Sequence, residues 1–379
     1  MTESDDRDWL ILLRTPGFGA RRLREGLVAR GGAPALLRWL ARHPDALDAE
    51  GRAWIEQPDD TVLANDLAWL AGDGQLMLRC TEEDFPPQLE AIPDPPAVLF
   101  VKGDASLLLR PQVAIVGARR AQEPGLANAR RFAAELAGAG LLVTSGMADG
   151  IDGAAHTAAL DAGEATVAVI ATGPDRVYPR KHHALARRIA EQGAIVSEYP
   201  PGTPSLPGQF PQRNRIIAGL SLGVVVIEAG LRSGSLITAR YAGEQGREVF
   251  ALPGSIHNPL AEGCHSLIAE GARLVQRPDE VLATLAPAAM ELGAELRARL
   301  ASGGGAAGAG SRKTGPFDWR QDEEYRRLLD VMGYDPASLD ALVDTTGLSP
   351  GALSSMLLIL ELEGEIAGLP GNRFQRVVR

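Results

Sequence analysis

The sequence predicts an α/β protein. A Rossmann-like, doubly wound, mostly parallel sheet lies between an N-terminal all-helical domain and a C-terminal winged helix. Three observations lead there. Six short apolar runs recur between residues 113 and 254, helical stretches separate them, and the flanking segments lose that alternation. Continuous apolar strands joined through helices imply a sheet covered on both faces.

The strands are expected at "VAIVGA" (113–118), "LLVTSG" (141–146), "TVAVIATG" (166–173), "AIVSEY" (194–199), "GVVVIEA" (223–229) and "EVFALPG" (248–254). Helices are expected over 125–139, 151–162, 181–192, 213–220, 235–245 and 264–271. The domain is bounded at 81–285.

Residues 1–80 read as short helices. Two of them flank Pro16-Gly17-Phe18-Gly19, with Leu10, Leu13, Leu23 and Leu27 on their apolar faces. Such a unit resembles a helix-hairpin-helix or SAM-like domain, whose hairpin amides can meet a phosphate. A tight turn in a small helical domain explains the same residues.

Residues 286–316 become rich in Gly, Ala and Ser and read as a flexible linker. Beyond it, 317–379 reads as a winged helix. A helix over 322–332 leads to a second bearing Leu339, Leu342 and Val343. A turn at 346–349 precedes a third helix striped by Leu353, Met356, Leu357 and Leu360, and a two-stranded wing turns about Pro370-Gly371-Asn372. The expected recognition helix, 350–363, carries no Lys or Arg, and Asp and Glu outnumber the six arginines of the segment. A duplex-reading face should be basic. This module therefore reads as a protein-interaction or regulatory element rather than a direct reader of duplex.

Composition sets further bounds. The 379 residues are 45% hydrophobic and 23% charged, with a net charge of -10. Any polyanion-binding surface must then be a local concentration of cations. Cys80 and Cys264 are the only cysteines and have no metal-binding spacing, which fits a reducing compartment. The first residues are acidic and polar, and no apolar run reaches the ~20 residues of a membrane helix. A cytoplasmic location is expected.

Ligands of doubly wound sheets sit beyond the carboxyl ends of the strands. Those ends carry Gly117-Ala118-Arg119-Arg120, then Gly146 with Asp149 and Asp152, then the basic run 176–188, then Arg213-Asn214-Arg215, then Arg232-Ser233-Gly234-Ser235. Small residues let a backbone approach a phosphate, and Arg119, Arg180, Lys181, Arg213, Arg215 and Arg232 supply charge. A dinucleotide enzyme would place G-x-G-x-x-G after the first strand, where this chain has G-A-R-R-A-Q-E-P-G. A P-loop is also missing, so no cofactor is expected. An extended polyanion tracked by several loops fits better, and single-stranded nucleic acid is the natural one.

The stretches "VAIVGARRA", "TSGMADGIDGAAHTAAL", "AVIATGPDRVYPRKHHAL", "IVSEYPPG", "FPQRNRIIAGLSLGVVVIEAGLRSGSLITAR" and "EGCHSLIAEGA" stand in one order. Together they resemble the bacterial DNA-processing protein A (DprA, also called Smf) family, closely over about 84–276. The resemblance implies a single-stranded-DNA-binding protein with no catalytic role. It implies protection of incoming strands during natural transformation, and loading of RecA onto strands covered by single-strand-binding protein. It also implies a homodimer of the Rossmann domains. Carried over by motif, the DNA-facing residues are Gly117, Arg119, Gly146, Arg180, Lys181, His183, Arg213, Asn214, Arg215, Ser233, Gly234 and Ser235. Leu267 and Ile268 fall on the dimer and RecA-facing surface. Ala118 stands where many members carry Ser or Thr, and the adjacency of Arg180 and Lys181 leaves open which does the main work.

Two rivals remain at this level. Lysine-decarboxylase-like nucleotide phosphoribohydrolases have a similar sheet with P-G-G-x-G-T-x-x-E after the fifth strand. This chain reads E-A-G-L-R-S-G-S there and lacks that glutamate. Glu228, Asp149 and Asp152 could act as acids or bases, but helix capping and turn formation explain the aspartates more simply. His156, on an apolar helix, reads as packed. The other rival is a transcription regulator using the winged helix, which its acidity disfavours.

Overall fold

In the computed structural model, the six expected runs become strands at or within one residue of the expected starts, and they lie in one nine-stranded sheet. The structure describes residues 3–302, 323–333, 337–346, 353, 357, 360, 366–369 and 373–376. Two compact units divide the chain, 1–305 and 306–379.

In the first unit the expected strands are β3 (Gln112–Gly117), β4 (Leu142–Ser145), β5 (Thr166–Val169), β6 (Ala194–Ser197), β7 (Gly223–Ile227) and β8 (Glu248–Ala251). The sheet also contains β1 (Gln75–Arg79), β2 (Val98–Gly103) and the two-residue β9 (Arg273–Leu274), which the apolar-run pattern did not reveal. The order is β1-β2-β6-β5-β4-β3-β7-β8-β9. Only the β1–β2 and β2–β6 pairings are antiparallel; β3 to β9 pair in parallel. The order reverses between β3 and β7, and a cleft opens beyond such a reversal.

The crossover helices are α7 (Glu123–Gly138), α8 (Ile151–Asp161), α9 (His183–Gln192), α10 (Gln209–Leu220), α11 (Gly234–Glu244) and α12 (Glu262–Ala269). Two hydrophobic clusters fill the sheet's faces. Val116, Val196, Ile216, Val224 and Val226 belong to one, and Val113, Ile115, Phe132, Val225 and Phe250 to the other. This is the period-2 alternation of strands buried on both sides.

The N-terminal helices are α1 (Glu3–Arg14), α2 (Ala20–Arg30), α3 (Ala33–Arg42), α4 (Ala49–Glu56) and α5 (Asp60–Leu70), and a single turn, α6 (Pro87–Glu90), follows β1. Composition points to a separate helical domain ending at residue 80. The helices instead share a core with Met77, Val98 and Phe100 of β1 and β2. Arg14 ties the layer further: it meets Asp66 at 2.5 Å and donates to the Pro201 carbonyl oxygen at 2.8 Å.

At the other end, α13 (Pro278–Ser302) runs through 286–302, where composition suggested linker. Val281, Leu285 and Leu292 are buried in the sheet's core, and this packing outweighs the small-residue composition. The rest of the expected linker lies outside the described residues.

The second unit contains α14 (Glu323–Met332), β10 (Ala337–Ser338), α15 (Leu339–Thr346), β11 (Ile366–Leu369) and β12 (Arg373–Arg376). Its three strands pair antiparallel in the order β10-β12-β11. Leu328, Leu342, Leu353, Leu357, Leu360 and Ile366 form its core, as the leucine stripe predicts for a winged helix. Most of the expected recognition helix and the wing's tip lie outside the described residues.

Candidate nucleic-acid interface

At the reversal between β3 and β7, a cleft of about 770 Å³ opens. The loop after β3 brings Gly117, Arg119 and Arg120 to it; the loop after β7 brings Arg232, Ser233 and Gly234; the first half of α10 brings Phe210, Arg213 and Asn214. Ser235, on the first turn of α11, completes the set. Four arginines line this cleft against a single carboxylate, Asp152. In a chain of net charge -10, that is the local concentration of cations a polyanion site requires.

Each wall has a local cause. Gly117 ends β3 where a Cβ would lie 1.9 Å from the Ile227 carbonyl oxygen, so only glycine lets the two switch strands meet. Ser233 caps α11: its hydroxyl accepts from the Ser235 N–H at 3.4 Å and lies 2.7 Å from the Ser235 hydroxyl. Asn214 donates to the Gly234 carbonyl oxygen at 3.2 Å and holds that loop against α10. Arg119 is exposed, and its guanidinium sits 5.6 Å from the centre of the Phe210 ring. Phe210 in turn lies 5.4 Å from Tyr178, which is 46% exposed. Tyr178 and Phe210 do not stand out in the sequence, and Arg120, at the end of the first strand but outside the DNA-facing set the resemblance implies, lines the cleft too. The available signal was two aromatic residues flanking basic ones in a chain with only 5% aromatics.

The Arg213-Asn214-Arg215 motif behaves differently from expectation. It does not start a helix; α10 begins at Gln209. Residues two apart on a helix are turned by ~200°, so the two arginines leave opposite sides of α10. Arg213, 5% exposed, donates to the carbonyl oxygens of Gly146 (2.7 Å) and Val169, just past β4 and at the end of β5. It forms the back wall of the cleft. Burial pulls its guanidinium down to about 10, so it stays charged at neutral pH. Gly146 serves this packing, since a Cβ there would stand 2.8 Å from the guanidinium. Arg215, 7% exposed, is not in the cleft; it pairs with Glu198 (2.6 Å) and Asp94 (3.1 Å) beside the N-terminal helices.

Arg180, Lys181 and His183 are exposed at the entrance to α9. None lines the cleft, and Lys181 pairs with Asp149 at 2.9 Å. Leu267 and Ile268 are half-buried on α12 against the sheet's core. Leu267 lines a separate groove of about 910 Å³ with Leu231 and Leu236, and Arg232 and Ser233 border both recesses.

The acid–base candidates all have structural engagements. Glu228 accepts from the Gln122 N–H at 2.9 Å, at the first turn of α7. Asp152 accepts from the Gly146 and Ala148 N–H groups; burial raises its carboxyl above the usual range, while the charge of Arg213 pulls the other way. His156 is buried beside Thr166 at 2.8 Å. Since the Thr166 hydroxyl donates to the Val143 carbonyl oxygen, His156 carries its proton on Nδ1. Burial lowers its pKa to about 3.

Residues 76–286 match the family model for DNA recombination-mediator protein A, and residues 318–372 match the DprA winged helix domain. Protein Smf of Escherichia coli is 41% identical over 317 residues, covering 82% of this chain and 80% of its own. DNA processing protein DprA of Streptococcus pneumoniae is 48% identical over 202 residues, 53% of this chain and 71% of its own. The X-ray structure of the S. pneumoniae protein superposes with a TM-score of 0.67 at 38% identity, over 73% of this chain and 97% of that one. DNA processing protein A of Helicobacter pylori, whose single-stranded DNA binding mode has been described structurally, superposes at 0.50 with 32% identity, over 54% and 93%. A Rossmann-like sheet opened at its switch point, a winged helix after it, and these matches together make the chain a member of the DNA recombination-mediator protein A (DprA/Smf) family.

Proposed function

We propose that the protein binds single-stranded DNA in the switch-point cleft, protects incoming strands during natural transformation and passes them to RecA. One observation carries the reading: exposed arginines and a Tyr178–Phe210 aromatic pair share one cleft. Cations track a phosphate backbone, and aromatic faces stack bases that are not already paired. A duplex hides those base faces, so the pair favours single strands. The family's name as a recombination mediator and the strand binding of the H. pylori relative support the same reading.

Binding to single- and double-stranded oligonucleotides across a salt series tests it. Single strands should bind more tightly, with a steep salt dependence. Equal affinity for both forms would remove the aromatic pair's role, and no binding to single strands would end the proposal. Handover to RecA is tested by filament formation on strands precoated with single-strand-binding protein. A dimer formed through α12 supports that handover by presenting two clefts. Leu267→Glu should halve the sedimenting mass, and an unchanged mass would move the interface elsewhere.

A further inference from the structure

Beside the cleft runs a second groove of about 520 Å³, bordered by α7 and α9 and floored by α8. Gly150, Gly153, Ala154 and Thr157 line it together with the cations Arg130, Lys181 and Arg188. The ridge between the two recesses is thin. Gly150, at φ 76°, lies so close to the loop after β3 that a Cβ would stand 2.2 Å from the Ala118 carbonyl oxygen and 2.8 Å from that of Arg119. Ala148, two residues earlier, already lines the cleft. Little more than this packed backbone therefore separates the cleft at Arg119 from the groove.

The groove's cations are held in pairs that a phosphate can replace. Arg130 meets Glu123 at 2.8 Å, Arg188 meets Asp161 at 2.7 Å, and Lys181 meets Asp149 at 2.9 Å. Surface ion pairs of this kind contribute only ~0–1 kcal/mol. The small side chains let a backbone approach closely. No aromatic residue apart from His182 lines this groove, unlike the cleft, so stacking has little place there.

We propose that this groove carries the sugar–phosphate backbone of the same single strand beyond the cleft, with Arg130 and Arg188 as phosphate contacts alongside Lys181. The proposal rests on the cleft being the single-strand site. It makes the contact independent of base sequence and dependent on strand length.

The test uses the full chain and fluorescein-labelled oligothymidines, one of about six nucleotides that occupies the cleft and one of about 25 that also reaches the groove. The double variant Arg130→Gln/Arg188→Gln should bind the long strand roughly tenfold more weakly and lower its salt slope by about 1.4, or ~0.7 per phosphate. Its affinity for the short strand should stay within about twofold of wild type. Glu123→Gln/Asp161→Asn, which frees the same cations, should tighten the long strand only. Equal effects on both lengths, or none on the long strand, overturn the groove while leaving the cleft standing. If the wild-type chain binds neither length, the cleft reading falls and the groove with it.

Discussion

Arg213 and Arg119 both look like phosphate ligands in sequence, yet the structure assigns them different work. Replacing Arg213 with Met keeps most of the side chain's length and removes the guanidinium. The Gly146 and Val169 carbonyl oxygens, both on buried residues, then lose a donor. Each orphaned buried acceptor costs ~1–3 kcal/mol, so losing two should cost the variant about 2–6 kcal/mol of stability. For a unit of this size that lowers the melting temperature on the order of 3–9 °C. The contact from Arg213 Nε to Asn214 Oδ1, 3.2 Å, also goes, and with it part of the hold on Gly234. Affinity for single strands should fall, but the salt slope should not change, because Arg213 is spent on carbonyls. Arg119→Ala should do the reverse: melting within about 1 °C of wild type, binding weaker by ~1–2 kcal/mol, and a salt slope lower by about 0.7. Calorimetry and anisotropy titrations at several salt concentrations measure both. If Arg213→Met melts like wild type and lowers the salt slope, its guanidinium serves the phosphate and the reasoning fails.

Tyr178→Ala should weaken single-strand binding by ~1–3 kcal/mol, whereas Tyr178→Phe should nearly restore it; equal losses in both would point to the hydroxyl instead of the ring face. His156 predicts a pH dependence of stability. Its folded pKa of about 3 lies below the unfolded 6.5, so below ~6.5 the unfolded chain binds the extra proton and stability falls by up to ~1.4 kcal/mol per pH unit, until the folded pKa is reached. Asp152, raised by burial, acts in the opposite direction, so the difference between wild type and His156→Gln isolates the histidine; parallel pH profiles would refute it. A chain ending at residue 305, the limit of the first compact unit, should melt as the whole chain's first unit does and keep its single-strand affinity within about threefold; a complete loss would give the winged helix a direct part in binding.

Much of the candidate site was legible because its residues cluster after strands. The loop residues Gly117, Arg119, Ser233, Gly234 and Ser235 reach the cleft because strand ends in a doubly wound sheet face one way. The motif points Arg215 at the cleft, but a helix turns ~100° per residue and carries it to the other side. Charge and spacing alone do not reveal that Glu198 and Asp94 await it on the far side of α10. Arg180 and Lys181 follow β5 in sequence, which points them at the cleft, but the turn that carries them leads to α9, and Lys181 lies in the neighbouring groove.

The amino-acid sequence carries the six apolar strands, their helices and the leucine stripe of the winged helix, since all of these are written in local periodicity. It also determined that cations gather after the strands of an otherwise acidic chain. Tertiary packing is what makes β1 and β2 extend the sheet and share a core with the N-terminal helices. It alone brought Tyr178 and Phe210 within 5.4 Å, and it alone separated Arg213 from Arg215. Burial and pairing depend on which distant segments meet. A buried arginine that clamps carbonyls and an exposed one that can meet a phosphate have the same letter in a sequence and differ only in their neighbours.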